Sequence, residues 1–224
     1  MSDDAKQFSA AYFADNYRNY VRQNPPAKMD FYRTLIERHA PAGESRRLLD
    51  IGCAFGRFLS YLPNDWHRVG LDLSEYAIRN ARSAAGTTPA VNFAVASASD
   101  IPLRGTFDAI VAFDVIEHVP NLGGVAESVK RLLSPDGVFG FVVPVYDGPL
   151  GGVVRRLDRD PTHIHKRPRN FWLDWANEHF RVIDWLGTFR YLMPGGVYVH
   201  WPTRRLRGIS PAIAVIVRSA PGKL

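Results

Sequence analysis

Three groups of residues in this chain have types and spacing suited to chemistry. The first is the loop Asp50-Ile51-Gly52-Cys53-Ala54-Phe55-Gly56, with Asp72 following 20 residues after Gly52. Glycine lets a chain turn tightly and lets backbone approach a ligand. An acid at the end of the next strand can accept hydrogen bonds from ribose hydroxyls. The second group is His118, His163 and His165, whose imidazoles suit proton removal near neutral pH. The third is basic: residues 155–169 hold six Arg or Lys against two Asp, and Arg204, Arg205 and Arg207 add a second patch. Such patches suit an anionic partner.

The elements that must position these groups follow from pattern. Apolar runs at 47–52, 67–72, 90–95, 107–113, 138–143, 180–189 and 212–218 read as strands. Those of the central part are apolar throughout rather than alternating, as a parallel sheet covered by helices on both faces requires. Helices are expected over 9–23, where Tyr12, Phe13, Tyr17, Tyr20 and Val21 share a face, and over 28–39, 56–62, 74–85, 121–133 and 170–178. Pro25 and Pro26 break the first of these, and Ser74 caps the fourth. Stretches 144–169 and 194–211 read as irregular and basic. The division expected is a helical lid over 1–44 and one α/β domain over 45–224, with long loops at about 145–169 and 191–211.

Composition narrows the class. A chain of 224 residues with 46% hydrophobic residues holds one domain with a substantial core. Its 13 Phe, 9 Tyr and 5 Trp exclude wholesale disorder. The net charge of +6 is not gathered on one predicted face, so nucleic acid is not an expected partner. One cysteine, Cys53, excludes an intrachain disulfide and a multi-cysteine metal site. The N-terminus carries Asp3 and Asp4 with no apolar stretch after them, unlike a secretory signal. The longest apolar runs fall far short of the ~20 residues of a membrane span. A soluble, cytoplasmic protein is expected.

Two cofactor classes use a glycine loop followed by an acid. The dinucleotide fingerprint started at Gly52 requires Gly at 54 and 57, where this chain has Ala54 and Arg57. The stretch Leu48 to Gly56, LLDIGCAFG, instead resembles the first motif of the class I S-adenosylmethionine (SAM)-dependent methyltransferases, with Asp50, Gly52 and Gly56 matching D-x-G-x-G-x-G and Ala54 in place of the middle glycine. The stretches 107–120 and 132–139 are similar to that family's fourth strand with its loop and to its next motif. The resemblance implies a Rossmann-like domain of about seven strands, mostly parallel, with the last antiparallel. It implies SAM as cofactor, its methionine part wrapped by Asp50, Gly52, Cys53, Ala54 and Gly56. It places the ribose on Asp72, adenine against Leu73, Ser97 and Ala98, and Asp114 near the cofactor. Ser97 stands where the family usually has Asp, so the adenine contact falls to Ser97 or to Asp100. Tyr17 and Tyr20, with Tyr12, are candidates to close over SAM.

The acceptor side is implied more loosely. His163 and His118 are the candidate catalytic bases, and 160–163 resembles the D-x-T-H segment of some small-molecule methyltransferases. Arg167, Arg169, Tyr191, His200 and Trp201 are candidate walls of the acceptor pocket. The grouping His163, His165 and Glu117 lacks a diagnostic metal spacing, and no metal is expected. The function expected is methyl transfer from SAM to an oxygen or nitrogen of a small acceptor, one bearing a carboxylate or phosphate or held on an acidic carrier. An RNA or protein methyltransferase and a non-catalytic SAM- or nucleotide-binding partner are the alternatives. Monomer and homo-oligomer both fit the pattern. On this basis replacing Arg167 and Arg169 should raise the acceptor KM and leave SAM binding nearly unchanged.

Overall fold

The apolar runs form the middle of one eight-stranded sheet. The computed structural model describes residues 8–16, 20–86, 91–192 and 198–220. The strands are β1 (Arg46–Ile51), β2 (Trp66–Asp72), β3 (Val91–Val95), β4 (Phe107–Phe113), β5 (Leu133–Pro144), β6 (Arg181–Leu192), β7 (Tyr198–Thr203) and β8 (Ala212–Arg218). Their order across the sheet is β3-β2-β1-β4-β5-β8-β6-β7. The first five run parallel, and β8 lies antiparallel between β5 and β6. The expected count of seven is corrected to eight: β7, within the stretch read as irregular, pairs antiparallel with β6 and forms the sheet edge. Its Pro202 hides it from a strand pattern, yet an edge strand tolerates a missing N–H.

The helices are α1 (Ala10–Asn16), α2 (Tyr20–Gln23), α3 (Pro26–His39), α4 (Glu75–Ala85), α5 (Leu122–Leu132), α6 (Gly151–Leu157) and α7 (Arg169–His179). Helix α2 ends at Gln23 just before the two prolines, and Pro26 also starts a helix. It opens α3 from an extended Pro25, because a first-turn proline loses no intrahelical bond. The helix expected over 56–62 is only a 3₁₀ turn, Phe58–Tyr61, since Gly56 sits at φ 72° on one side and Pro63 follows. Helix α6 occupies part of the expected loop 144–169. Tyr17 lies outside the described residues.

Alternation along the buried strands feeds two cores. Phe139, Phe141 and Val143 of β5 join Ile213, Val215 and Val217 of β8 beneath α5 and α7. Val138, Val142, Ala214 and Ile216 face the other way, against Met29, Tyr32, Leu35 and Ile36 of α3. Both faces are therefore covered, as the apolar runs require. At Gly140 a Cβ would lie 2.7 Å from Ile36 Cδ1, so glycine lets α3 lie close on the sheet. Among the described residues, no helix is long and apolar enough to cross a membrane.

Phe141 is 1% exposed and packs edge-on against Trp175 at 5.6 Å between ring centres. Phe141→Ala should lower the unfolding free energy by about 3–5 kcal/mol, read as a lower denaturant midpoint with an unchanged slope. A loss below ~1 kcal/mol would show that this core can collapse around the cavity.

Candidate active site

The carboxyl ends of the parallel strands carry two adjoining cavities. The smaller, about 370 Å³, is lined by Gly52, Asp72, Leu73, Ser97, Ala98, Asp114, Val115 and His118, with Phe8, Tyr12 and Phe13 over it. The larger, about 500 Å³, is lined by Asp50, Gly52, Cys53, Ala54, Tyr20, Lys28, Tyr32, Asp114, His118, Tyr146, Asp158, His163 and Arg190. Gly52, Asp114, His118 and Tyr12 belong to both, so they mark the junction.

The glycine loop is built by backbone strain and by Asp72. Gly52 has φ 71°, and a Cβ there would sit 2.3 Å from Val115 Cγ2. Ala54 keeps the left-handed conformation of the glycine it replaces, at φ 48°. Its N–H donates to Asp72 Oδ2 at 2.9 Å, while Ser74 N–H donates to Asp72 Oδ1 at 2.8 Å. Each oxygen retains a lone pair for a further donor. Burial, with Asp72 adding repulsion, raises the Asp50 pKa well above the usual carboxylate range, which favours its protonated form. Burial likewise raises the Cys53 pKa and keeps it a thiol. Gly56, at φ 72°, is outside both linings and holds the turn: a Cβ there would lie 2.9 Å from the Phe93 ring. The Ser97 hydroxyl lies 3.0 Å from that of Ser99 at the wall of the smaller cavity, whereas Asp100 is exposed and outside it.

The two candidate bases sit side by side, their ring centres 4.6 Å apart. A carboxylate stands behind each of them, directly at His163 and through the Thr162 hydroxyl at His118. Asp158 Oδ1 lies 2.9 Å from His163 Nδ1, and Tyr146 donates its hydroxyl to Asp158 Oδ2 at 2.5 Å. Burial alone would raise the Asp158 pKa. Hydrogen bonds from Tyr146, Lys166 and His163 outweigh that and hold it at about 2. With Asp158 ionised, His163 donates Nδ1–H and keeps the Nε2 lone pair. On the other ring, Thr162 Oγ1 donates to Asp160 Oδ1 at 2.6 Å and lies 2.7 Å from His118 Nδ1. The single hydroxyl proton is thereby used, so His118 Nδ1 is the donor to Thr162. Burial, with His163 adding, lowers the His118 pKa to about 4. Tyr12 of α1 donates to Asp160 Oδ2 at 3.0 Å and ties the N-terminal segment to this turn.

Burial, with Asp114 adding, raises the Glu117 pKa well above the usual range. Ligand-capable atoms of Glu117, His118 and His163 lie within 4.8 Å of one another. His165 is not among them, because its Nε2 faces the Val119 carbonyl at 2.9 Å.

The expected acceptor walls need correction. Arg169 is buried, held by both oxygens of Asp147 at 2.9 and 3.0 Å and by the Ser210 carbonyl, so it braces loops rather than a ligand. Arg167 is exposed over the Phe171 ring at 5.0 Å. Trp201 is 53% exposed and packs on Phe189. His200 packs on Phe31 and Tyr32 at 5.1 and 5.7 Å, outside both linings. Tyr191 pairs with Val199 in the β6–β7 ladder. Of the second basic patch, Arg204 pairs with Asp184 and Arg207 covers Trp185. The larger cavity is lined by Arg159, of the first basic patch, and by two cations that sequence reasoning missed, Lys28 and Arg190. They lie in different elements with no motif spacing between them. Asp158 and Tyr146 were missed for the same reason, although Asp158 stands two residues before Asp160 in the segment already singled out.

A sheet of this order, with a glycine loop after β1 and an acid closing β2, defines the class I SAM-dependent methyltransferases. The chain belongs to the family described as the methyltransferase domain, whose model matches residues 20–197. It is 29% identical over 111 residues to the sterol 24-C-methyltransferase ERG6B of Gibberella zeae, covering 45% of this chain and 29% of that one. It is 30% identical over 106 residues to the ubiquinone biosynthesis O-methyltransferase of Thiobacillus denitrificans, covering 46% and 45%. The chain thus spans less than half the length of these two relatives. A chain in the complex of the Haloferax volcanii Trm112 methyltransferase activator with a methyltransferase superposes with TM-score 0.72 over 97% of both chains at 17% identity, a likeness of fold.

Hydrogen bonds to charged groups contribute about 1.5–3 kcal/mol, so Asp72→Asn should weaken S-adenosylhomocysteine binding by about 10- to 100-fold in a calorimetric titration. Unchanged affinity would reduce Asp72 to a brace for the glycine loop.

Proposed function

We propose that this chain transfers the methyl group of SAM to a hydroxyl oxygen of a small anionic acceptor seated in the larger cavity. The observation that carries this reading is the junction: Asp72, Leu73 and Ser97 bound one space, the glycine-loop residues Asp50, Cys53 and Ala54 and the oriented His163 share the other, and Gly52, Asp114 and His118 lie between them. The adenosine part occupies the smaller cavity, its ribose on Asp72 and its adenine by Leu73, Ser97 and Ala98. The methionine part runs past Asp50, Gly52, Cys53 and Ala54. Tyr12 and Tyr20, with Phe8 and Phe13, close the N-terminal segment over both. The likeness to an O-methyltransferase supports oxygen over nitrogen.

The reaction is an in-line displacement in which the acceptor oxygen forms a bond to the methyl carbon as the carbon–sulfur bond breaks. The sulfur keeps that electron pair and leaves as the neutral thioether. The protein's main task is alignment. His163 Nε2 takes the hydroxyl proton, and the ionised Asp158 stabilises the imidazolium that results. His118, whose lowered pKa keeps it neutral, is poorly matched to serve as the base and instead borders the reacting atoms.

With acceptors drawn from hydroxylated small molecules, and turnover read as S-adenosylhomocysteine release, His163→Gln should lower kcat by roughly 10²–10⁴ with cofactor affinity unchanged. Asp158→Asn, which removes a positioning carboxylate, should lower kcat with little change in KM. His118→Gln should cost less than His163→Gln, and the reverse ranking would move the base to His118. Transfer confined to amines would replace oxygen by nitrogen.

A further inference from the structure

The two basic patches of the sequence abut at one rim, where exposed apolar side chains stand among them. Val153 and Leu157, four residues apart on one face of α6, are 50% and 58% exposed. Ile164, which borders the smaller cavity, is 50% exposed. Arg155 joins the helix to that segment, its Nη2 donating to the Lys166 carbonyl at 3.5 Å. The second patch lies against the first because Arg169 binds Asp147 on one side and the Arg207 and Ser210 carbonyls on the other. It adds Leu206 and Ile209, both exposed. Contiguous exposed apolar surface of this kind marks an interaction site, and methyl transfer does not account for it.

The charge around these side chains is one-sided. Asp158 is taken by Lys166 and His163, Asp160 by Thr162 and Tyr12, Asp147 by Arg169 and Asp184 by Arg204. Among the described residues, Arg155, Arg156, Arg159, Arg167 and Arg205 form no ion pair, and all five are exposed. We propose that this rim seats the chain on an anionic lipid surface. Val153, Leu157 and Ile164 enter the headgroup layer, and the unpaired arginines lie against its phosphates. Aliphatic side chains interleaved with arginines suit that layer, which is apolar below and negatively charged above. A nucleic-acid face works through stacked aromatic rings, and a protein interface is anchored by aromatic residues. The exposed large apolar residues of 153–167 are all aliphatic. Leu157 and Arg159 also line the larger cavity, so a chain seated this way opens that cavity toward the lipid. The anionic partner that loop charge called for is then a surface outside the cavity.

The test is co-sedimentation of the full chain with vesicles of phosphatidylcholine alone and of phosphatidylcholine with phosphatidylglycerol at roughly 3:1. The mixed vesicles should bind about tenfold or more tighter, and the preference should fall as salt rises from ~0.05 to ~0.5 M. Val153 and Arg156 lie outside both cavity linings. Val153→Asp should weaken binding to mixed vesicles by about tenfold, and Arg156→Gln by about fivefold. Both variants should keep the melting temperature and the S-adenosylhomocysteine affinity of the unaltered chain. Equal binding to the two kinds of vesicle, or none to either, would overturn the lipid surface, and that comparison needs no variant to fold. Undiminished binding by Val153→Asp would overturn entry of the apolar side chains. Tighter binding of the unaltered chain to poly-L-glutamate or to polyuridylate than to the mixed vesicles would give the rim to an acidic protein or to a nucleic acid instead. Vesicle binding is read without turnover, so it stands or falls apart from the methyl-transfer reading.

Discussion

Asp114 is the group on which the arrangement of the site depends. It follows β4 in the left-handed region, at φ 60°, a conformation that costs a residue with a Cβ roughly 1–2 kcal/mol. Such strain persists only where surroundings over-determine it, and here they do. Asp114 N–H donates to the Val142 carbonyl of β5 at 2.9 Å, and the side chain takes Lys28 from one side and Arg190 from the other. Burial alone would raise its pKa, yet those two cations hold it below the usual carboxylate range. One carboxylate thus ties α3, β4 and β6 together at the point where the two cavities meet.

The surrounding acids divide by environment rather than by type. Asp50 and Glu117 are buried without a cation of their own, and burial drives both toward the neutral form. Asp158 and Asp160 are partly buried as well, but hydroxyl and imidazole donors outweigh burial and lower their pKa values. Charged carboxylates therefore stand where a histidine needs orienting, and neutral ones stand where the glycine loop and the sheet need dry packing. Tyr12 joins this network from the N-terminal segment, so closure of that segment and orientation of His118 share the carboxylate of Asp160.

Features set by neighbours in sequence were legible in the residue order. The glycine loop, Asp72 and the cap Ser74 are local, and five uninterrupted strands carried the parallel sheet. The eighth strand was hidden because an edge position relaxes the rules that Pro202 breaks. The acceptor side was misjudged for a different reason. Charge density on a loop says nothing about where each side chain points, and Arg169 turned inward to Asp147 while Arg167 lay on Phe171. Lys28 and Arg190 meet only because α3 and β6 pack around Asp114, a contact that no spacing rule encodes. The pairing of Asp158 with His163 was within reach, since both lie in one short segment, but it needed the turn at 158–162 to fold back.

The central claim is that the two cavities form one path, with adenosine in one, the methionine part and the acceptor in the other, and Asp114 where they meet. A crystal structure of the chain with S-adenosylhomocysteine tests it most directly. The account predicts adenosine in the cavity of Asp72 and Ser97, with the sulfur at the junction and open toward His163. A sulfur walled off from His163, or a ligand seated outside the glycine loop, would contradict it.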